Sequence, residues 1–140
     1  MTTLKLDLGN LKKDVVSTFT RGDSNVLVSL SSYDVPQSLT FRPQHQGLIQ
    51  VRFDYPDQEQ DDAKKLNECV TLILGKNSGK VLGFDLHTTP SYRAHDLALQ
   101  VMRGVEEEEK RPGLRDNQRL NYRLIGRVVG ENLEPLLAAG

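Results

Sequence analysis

Apolar and polar residues alternate along four segments in the first part of the chain. This period of two is typical of β-strands with one face toward solvent, and it covers residues 3–8, 26–32, 38–44 and 48–55. Pro43 lacks a backbone N–H and is expected at a sheet edge or a strand end. His45, Gln46 and Gly47 separate the last two segments, and such a short spacing with Gly predicts a β-hairpin.

The clearest local pattern is VTLILGKNSGKVLGFDLH, residues 70–87. Two apolar runs flank a turn that contains Asn77, Ser78 and Gly79, and Asn and Gly tolerate the positive φ angles of tight turns. The two Gly-Lys pairs also raise the question of a phosphate-binding loop. That loop requires G-x-x-x-x-G-K-[ST], whereas here the glycines are one residue too close and Val81 replaces the metal-binding hydroxyl. We therefore predict a hairpin.

Two segments between these strands have weaker patterns. In residues 11–20, Leu11, Val15 and Phe19 recur every four residues as on a helix, while several β-branched residues favour a strand. We favour the helix there. Residues 56–67 are polar and predict a long hairpin connection or a short helical turn.

Helical spacing dominates the last third of the chain. Thr89 and Pro90 are typical of an N-cap and a first helical position, and a broad apolar stripe follows over residues 94–105. The acidic residues 106–109 lie at the C-terminal end of this helix, where their negative charges interact unfavourably with the helix dipole. Residues 114–130 fit both a helix and a strand, and we favour the helix because the apolar residues at its end break a strict alternation.

These patterns predict a single globular domain over residues 1–140, of class α+β. A mostly antiparallel sheet of five or six strands should be covered on one face by one long helix and a C-terminal helical segment. A chain of 140 residues buries enough surface for a core without disulfides or a structural metal. The apolar residues near its end, among them Leu133, Leu136 and Leu137, should dock on this core or on a neighbouring molecule.

Composition limits the possible partners and the location. The net charge of -1 gives no overall field toward nucleic acid or an anionic membrane. Cys69 is the single cysteine, and the N-terminal residues lack the apolar region of a secretory signal. No stretch approaches the 18 apolar residues of a membrane span. We expect a cytoplasmic protein with no membrane partner.

Residues that could serve catalysis or metal binding lack the required spacing. The three histidines form neither an H-x-x-x-H pair nor a set with a Cys-x-x-Cys motif. An EF-hand loop starting at Asp57 fails because Asp62 stands where Gly is required. We predict no metal and no cofactor. No catalytic motif is present, so an enzyme would need a site assembled between sheet and helix from Asp85, His87, His95 and Asp96.

The strongest candidate binding feature is a basic segment in the last third. Arg115, Arg119, Arg123 and Arg127 recur at every fourth residue, so on a helix they form one line, here called the arginine ridge. Residues 110–127 hold six basic side chains against one acidic side chain, a net charge of +5. Such a patch can bind phosphates, pair with acidic residues of the same chain or of a second subunit, or remain solvated.

From these features we predict a non-enzymatic protein-interaction or self-association module that acts through the C-terminal third. A protein partner or a homodimer is favoured. The alternative is an anion- or nucleic-acid-binding protein that uses the arginine ridge. Nucleic-acid modules usually add exposed aromatic residues for base stacking, and here only Tyr122 lies among the arginines.

Overall fold

The computed structural model describes residues 3–14, 16–44, 47–89 and 91–139. Within these residues the strands in chain order are β1 (Leu4–Asp7), β2 (Val16–Arg21), β3 (Ser24–Ser29), β4 (Ser38–Pro43), β5 (Leu48–Asp54), β6 (Asp61–Lys65), β7 (Val70–Gly75) and β8 (Val81–His87). Two helices follow, α1 (Ala94–Glu109) and α2 (Asp116–Ala139). The protein therefore has the predicted α+β class.

Six of the strands form one antiparallel sheet in the order β1-β4-β5-β8-β7-β6. The hairpins β4–β5 and β7–β8 confirm the sequence predictions, and Pro43 ends its strand as expected. Gly79, with a φ of 73°, provides the positive φ in the β7–β8 turn. His45 and Gln46, which were predicted to form the β4–β5 turn, lie outside the described residues. The remaining strands, β2 and β3, form a separate two-stranded sheet.

The core lies between one face of the six-stranded sheet and the two helices. Val51 in the middle of β5 is the register partner of Phe41 on one side and of Phe84 on the other, and Leu72 continues this row. All four side chains are almost completely buried. Each such burial contributes about 1.5–3 kcal/mol, so this row is a major source of stability.

Both helices place their apolar stripes in this core. The helix predicted for residues 114–130 is confirmed, and it continues to Ala139. The predicted docking of the chain end on the core is also present, since Leu133 and Leu137 are buried in α2. In the described part of the chain, neither helix is long and apolar enough to cross a membrane.

Two predicted segments are wrong. Residues 11–20 are not one helix, because a short 3₁₀ helix (Gly9–Asp14) is followed by β2, whose β-branched residues prefer a strand. Val15 lies outside the described residues. Residues 56–67 include strand β6. The sequence did not predict this strand, because it lies at the sheet edge and is exposed to solvent, so its residues do not alternate between apolar and polar.

The predicted start of the first helix is also wrong. Pro90 lies outside the described residues, but the helix begins only at Ala94, and its N-cap is Arg93 without a side-chain hydrogen bond. The Thr89 carbonyl instead accepts the N–H of Tyr92 at 3.1 Å. A turn therefore precedes the helix where capping was expected.

Candidate functional site

The first two members of the arginine ridge bond to main-chain carbonyls. Arg115 donates to the carbonyl of Ser78 at 3.1 Å. Arg119 donates to the carbonyl of Glu109 and, at 3.3 Å, to that of Arg111. The last carbonyls of a helix have no partner within the helix. Arg119 therefore supplies donors at the C-terminal end of α1.

The other two ridge arginines pair with carboxylates. Arg123 binds the carboxylate of Glu109, and its guanidinium lies 4.3 Å from the ring centroid of Phe19 on β2. Arg127 pairs with Glu131 at 3.3 Å, one turn further along α2. Arg119 and Arg123 thus link α2 to the C-terminal end of α1, and Arg123 also links it to the two-stranded sheet.

Other acidic side chains reduce the positive charge around the ridge. Glu108 pairs with Arg111 at 3.2 Å and with Lys64 of β6 at 2.8 Å. Asp116, the acidic residue within the basic segment, pairs with Arg21 at the end of β2. Asp116 is already included in the net charge of +5 of residues 110–127, so the carboxylates that counter this charge are those of Glu108, Glu109 and Glu131.

None of the four residues considered for an assembled catalytic site is buried, as a common cleft between sheet and helix would require. Asp85 pairs with Arg52 at 2.8 Å on the sheet, and His87 is exposed at the end of β8. His95 lies on α1, where it pairs with Glu134 at 3.2 Å, and Asp96 beside it is exposed. Among the residues described, no group of three or more His, Cys, Asp or Glu side chains is arranged to hold a metal ion.

A buried lysine is the main polar feature that sequence reasoning missed. Lys80, just after the β7–β8 turn, is only 2% exposed. Its Nζ donates to Asp57 Oδ1 at 2.6 Å and to the carbonyl of Tyr33 at 2.7 Å, and it lies 4.4 Å from the ring centroid of Tyr55. Carboxylate oxygens of Asp34 and Glu59 are each 3.8 Å away. The lysine is thus surrounded by three carboxylates.

Glu59 explains why the Gly-Lys turn resembles an anion-binding loop. One oxygen of its carboxylate accepts the N–H groups of Asn77 at 3.1 Å and Ser78 at 3.0 Å, and also the Ser78 hydroxyl at 3.0 Å. Successive backbone N–H groups of this kind form an anion-binding concavity. In this protein the chain's own carboxylate occupies it.

Asn121 of α2 connects this network to the helix layer. Its side-chain oxygen accepts the N–H of Val81 at 2.9 Å, and its NH₂ donates to the carbonyl of Asp34 and the hydroxyl of Tyr55, both at 3.1 Å. Burial raises the pKa of Tyr55 far above its ordinary value, so the hydroxyl stays protonated and donates to the Val81 carbonyl at 2.6 Å. Among the described residues, no buried side-chain N or O atom lacks a hydrogen-bond partner, so the buried polar atoms of this network are all bonded.

Beside this network lies an open cavity of about 740 Å³, here called the Tyr33 cleft. It is bounded by the end of β1, by the segment between β3 and β4, and by Pro56. Its floor is apolar, formed by Leu8, Leu30 and Val35. Its rim carries Asp7, Ser32, Tyr33 and Gln37, and the Tyr33 side chain is 58% exposed.

The sequence contained a weak signal for the lysine network and none for the cleft. The acidic segment that begins at Asp57 fails as an EF-hand loop, and the carboxylates of Asp57 and Glu59 in this segment instead lie beside Lys80, more than 20 residues away. The cleft residues come from segments whose proximity depends on sheet topology, which residue spacing does not report.

The fold and these contacts define an α+β protein with two helices on one face of a six-stranded antiparallel sheet. No protein-family model matches the chain, and comparisons with curated proteins and with solved structures found no significant match.

Proposed function

We propose that this protein is a non-enzymatic interaction module whose partner is a second copy of the same chain. The observation that carries the proposal is the two-stranded β2–β3 sheet. Within the described residues, neither strand pairs with any other strand, so each has one unpaired backbone edge. Unpaired edges are templates for strands of another molecule.

One face of this small sheet is exposed and carries two large apolar side chains, Val16 and Leu27, among uncharged Thr, Asn and Ser side chains. Val16 and Leu27 are 49% and 71% exposed, the highest values among large apolar side chains of the described sequence apart from Tyr33. The register pairs Leu27 with Thr18, two residues from Val16, so all three side chains share a face. The opposite face holds Phe19, which is buried beneath Arg123.

The edges of the main sheet differ from those of β2 and β3. Outer strand β6 has the sequence DDAKK, and outer strand β1 has four residues that include Lys5 and Asp7. Short length and charged side chains are the usual protection of an edge against pairing. Strands β2 and β3 have six residues each and a single charged one, Arg21 at the turn.

A second copy fits this surface for reasons of symmetry and charge. Antiparallel pairing of one strand with its own copy satisfies a two-fold axis, since the same groups then serve both partners. The exposed face around Leu27 carries no charge that would repel its copy. Pairing would extend two strands to four, and sheets of three or more strands are stable where a single hairpin is marginal.

The test is the solution mass across a range of protein concentrations, measured by light scattering after size exclusion. We expect a dimer for the natural chain, and monomers for Leu27→Lys and for Val16→Lys. Both side chains are largely exposed, so these changes should alter the folding free energy by only about 0.5 kcal/mol. The dimer should persist at high salt, because main-chain and apolar contacts are not screened.

Tyr33→Ala is the matched control, because it removes an exposed apolar side chain elsewhere and should leave the dimer intact. A monomer at all concentrations would reject self-association. A dimer that is unaffected by both lysine variants would reject the β2–β3 sheet as its interface.

Anion or nucleic-acid binding through the arginine ridge is the weaker proposal. Arg119 bonds to main-chain carbonyls, and Arg123 and Arg127 pair with carboxylates. Phosphates would have to displace these contacts. A steep fall of binding with salt would be its signature.

A further inference from the structure

We propose that the Tyr33 cleft binds a peptide segment of another protein in which a basic side chain lies beside an apolar one. This site is separate from the β2–β3 edges and does not depend on self-association. Its volume of about 740 Å³ is in the range of ligand-binding clefts, about 300–1,000 Å³.

The floor and rim of the cleft suit different parts of a peptide. Leu8, Leu30 and Val35 form an apolar floor that would take an apolar side chain. In the part of the chain that the structure describes, the hydroxyls of Ser32 and Tyr33 and the Gln37 side-chain amide have no hydrogen-bond partner. These rim groups can bond to the main chain of a bound segment.

The position of the cleft favours an extended segment over a compact small molecule. The cleft begins at Asp7, the last residue of β1. Strand β1 is at the outside of the main sheet and, within the described residues, pairs only with β4. The charges of Lys5 and Asp7 disfavour pairing of β1 with an arbitrary strand, but an extended peptide whose basic side chain meets Asp7 can add to this edge through main-chain hydrogen bonds, with alternate side chains filling adjacent pockets.

Charge determines which peptides fit. Two shallow depressions next to the cleft lie on the sheet face away from the helices, one with four acidic and two basic side chains and the other with one of each. Together with the cleft, the acidic residues are Asp7, Asp54, Asp57, Glu59 and Asp61, and the basic ones are Lys5 and Arg52. Lys80 beneath them compensates only one charge. The surface therefore attracts a basic segment.

The test uses fluorescein-labelled octapeptides that place Lys or Arg next to Leu, Val or Pro, and the same peptides with Glu at every basic position. Binding is measured by fluorescence anisotropy, and its location by NMR titration of the labelled protein. We expect the basic peptides to shift amide resonances of residues 7–9 and 30–37. The Glu peptides should bind at least tenfold more weakly.

Two variants test the named residues. Tyr33→Ala and Asp7→Asn should each weaken binding at least fivefold, and Asn can still accept the N–H that Gly9 donates to Asp7. Leu27→Lys is the control and should bind the basic peptides normally. The proposal is wrong if the basic peptides produce no shifts, if the Glu peptides bind equally, or if Tyr33→Ala binds as tightly as the natural chain. These outcomes are independent of the solution mass.

Discussion

The Nζ atom of Lys80 lies 2.6 Å from Oδ1 of Asp57, although 23 residues separate them. This bond ties the β7–β8 turn to the segment between β5 and β6. The ammonium group is buried, whereas the Asp57 side chain is 41% exposed. Asp57 is therefore the nearest counter-charge of the buried ammonium group and lies at the protein surface. Removing Lys80 should cost more stability than removing Asp57.

Replacing Lys80 by Met should strongly destabilise the fold. Met keeps the length of the side chain but leaves the carboxylates of Asp34, Asp57 and Glu59 without their common cation. Loss of one partner of a buried ion pair costs about 3–5 kcal/mol, and the exposure of Asp57 places the expected loss near the lower end, about 3 kcal/mol. Urea unfolding would measure it.

Lys76 offers a matched control for that experiment. It lies in the same turn but its side chain is exposed. Lys76→Met should change stability by about 0.5 kcal/mol or less. Equal effects of the two substitutions would contradict a special role for the buried ammonium.

The bond to Lys80 also predicts how acid affects stability. It is the main reason why the pKa of Asp57 lies below its ordinary value of 3.8. A carboxyl with a lowered pKa in the folded state contributes stability above the pKa of the unfolded state, and the contribution disappears as pH falls through the folded pKa. The advantage of the natural chain over Asp57→Asn should therefore be complete at pH 6 and shrink below pH of about 4.

The measurement is the free energy of unfolding of both proteins between pH 6 and pH 2. Other carboxyl groups titrate in the same range, but they do so in both proteins, so the difference isolates Asp57. An advantage as large at pH 2 as at pH 6 would show that the Asp57 charge contributes nothing.

Position 83 has no room for a side chain, so we expect that replacing Gly83 destabilises the protein. A Cβ atom there would lie 2.1 Å from the carbonyl oxygen of Val51 on the neighbouring strand and 3.0 Å from Arg52 Cδ. The backbone of β5 cannot move away without disturbing the core beneath it. Gly83→Ala should therefore destabilise the protein by about 1–3 kcal/mol, measured as a lower urea midpoint.

Gly126 provides the opposite case on α2. Its Cβ would meet only Val105 Cγ1 at 3.6 Å, an ordinary contact. Since Gly within a helix is less stable than Ala by about 0.5–1 kcal/mol, Gly126→Ala should raise stability. If both alanine variants shifted the midpoint in the same direction, the spatial argument for Gly83 would fail.

The success of sequence reasoning depended on how local its signals were. The β7–β8 hairpin and the helix over residues 114–130 are defined by turn chemistry and periodicity within the segment itself. Strand β6 was missed because its pairing with β7 comes from topology, and its exposed sequence has no apolar face. The same holds for Lys80, since a lysine next to a turn is normally solvated and only the folded chain brings three carboxylates around it.

The arginine ridge was found from the sequence, but its partners were not. Arg123 stacks on Phe19 and binds Glu109, so its removal should loosen the β2–β3 sheet from α2. We expect Arg123→Gln to lower stability by about 1 kcal/mol, from a partly exposed ion pair and a cation–π contact. Hydrogen exchange of β2 and β3 amides should accelerate, while retention on a nucleic-acid column should not change.

Arg42→Gln is the control, because it removes the same charge from an exposed position on β4. It should leave both stability and amide exchange as in the natural chain. If Arg123→Gln instead folded with unchanged stability and lost salt-sensitive retention that Arg42→Gln preserved, the ridge would be a binding surface. The contacts of Arg123 with Glu109 and Phe19 would then be those of the protein without bound ligand. A bound phosphate would compete with the Glu109 carboxylate for the Arg123 guanidinium.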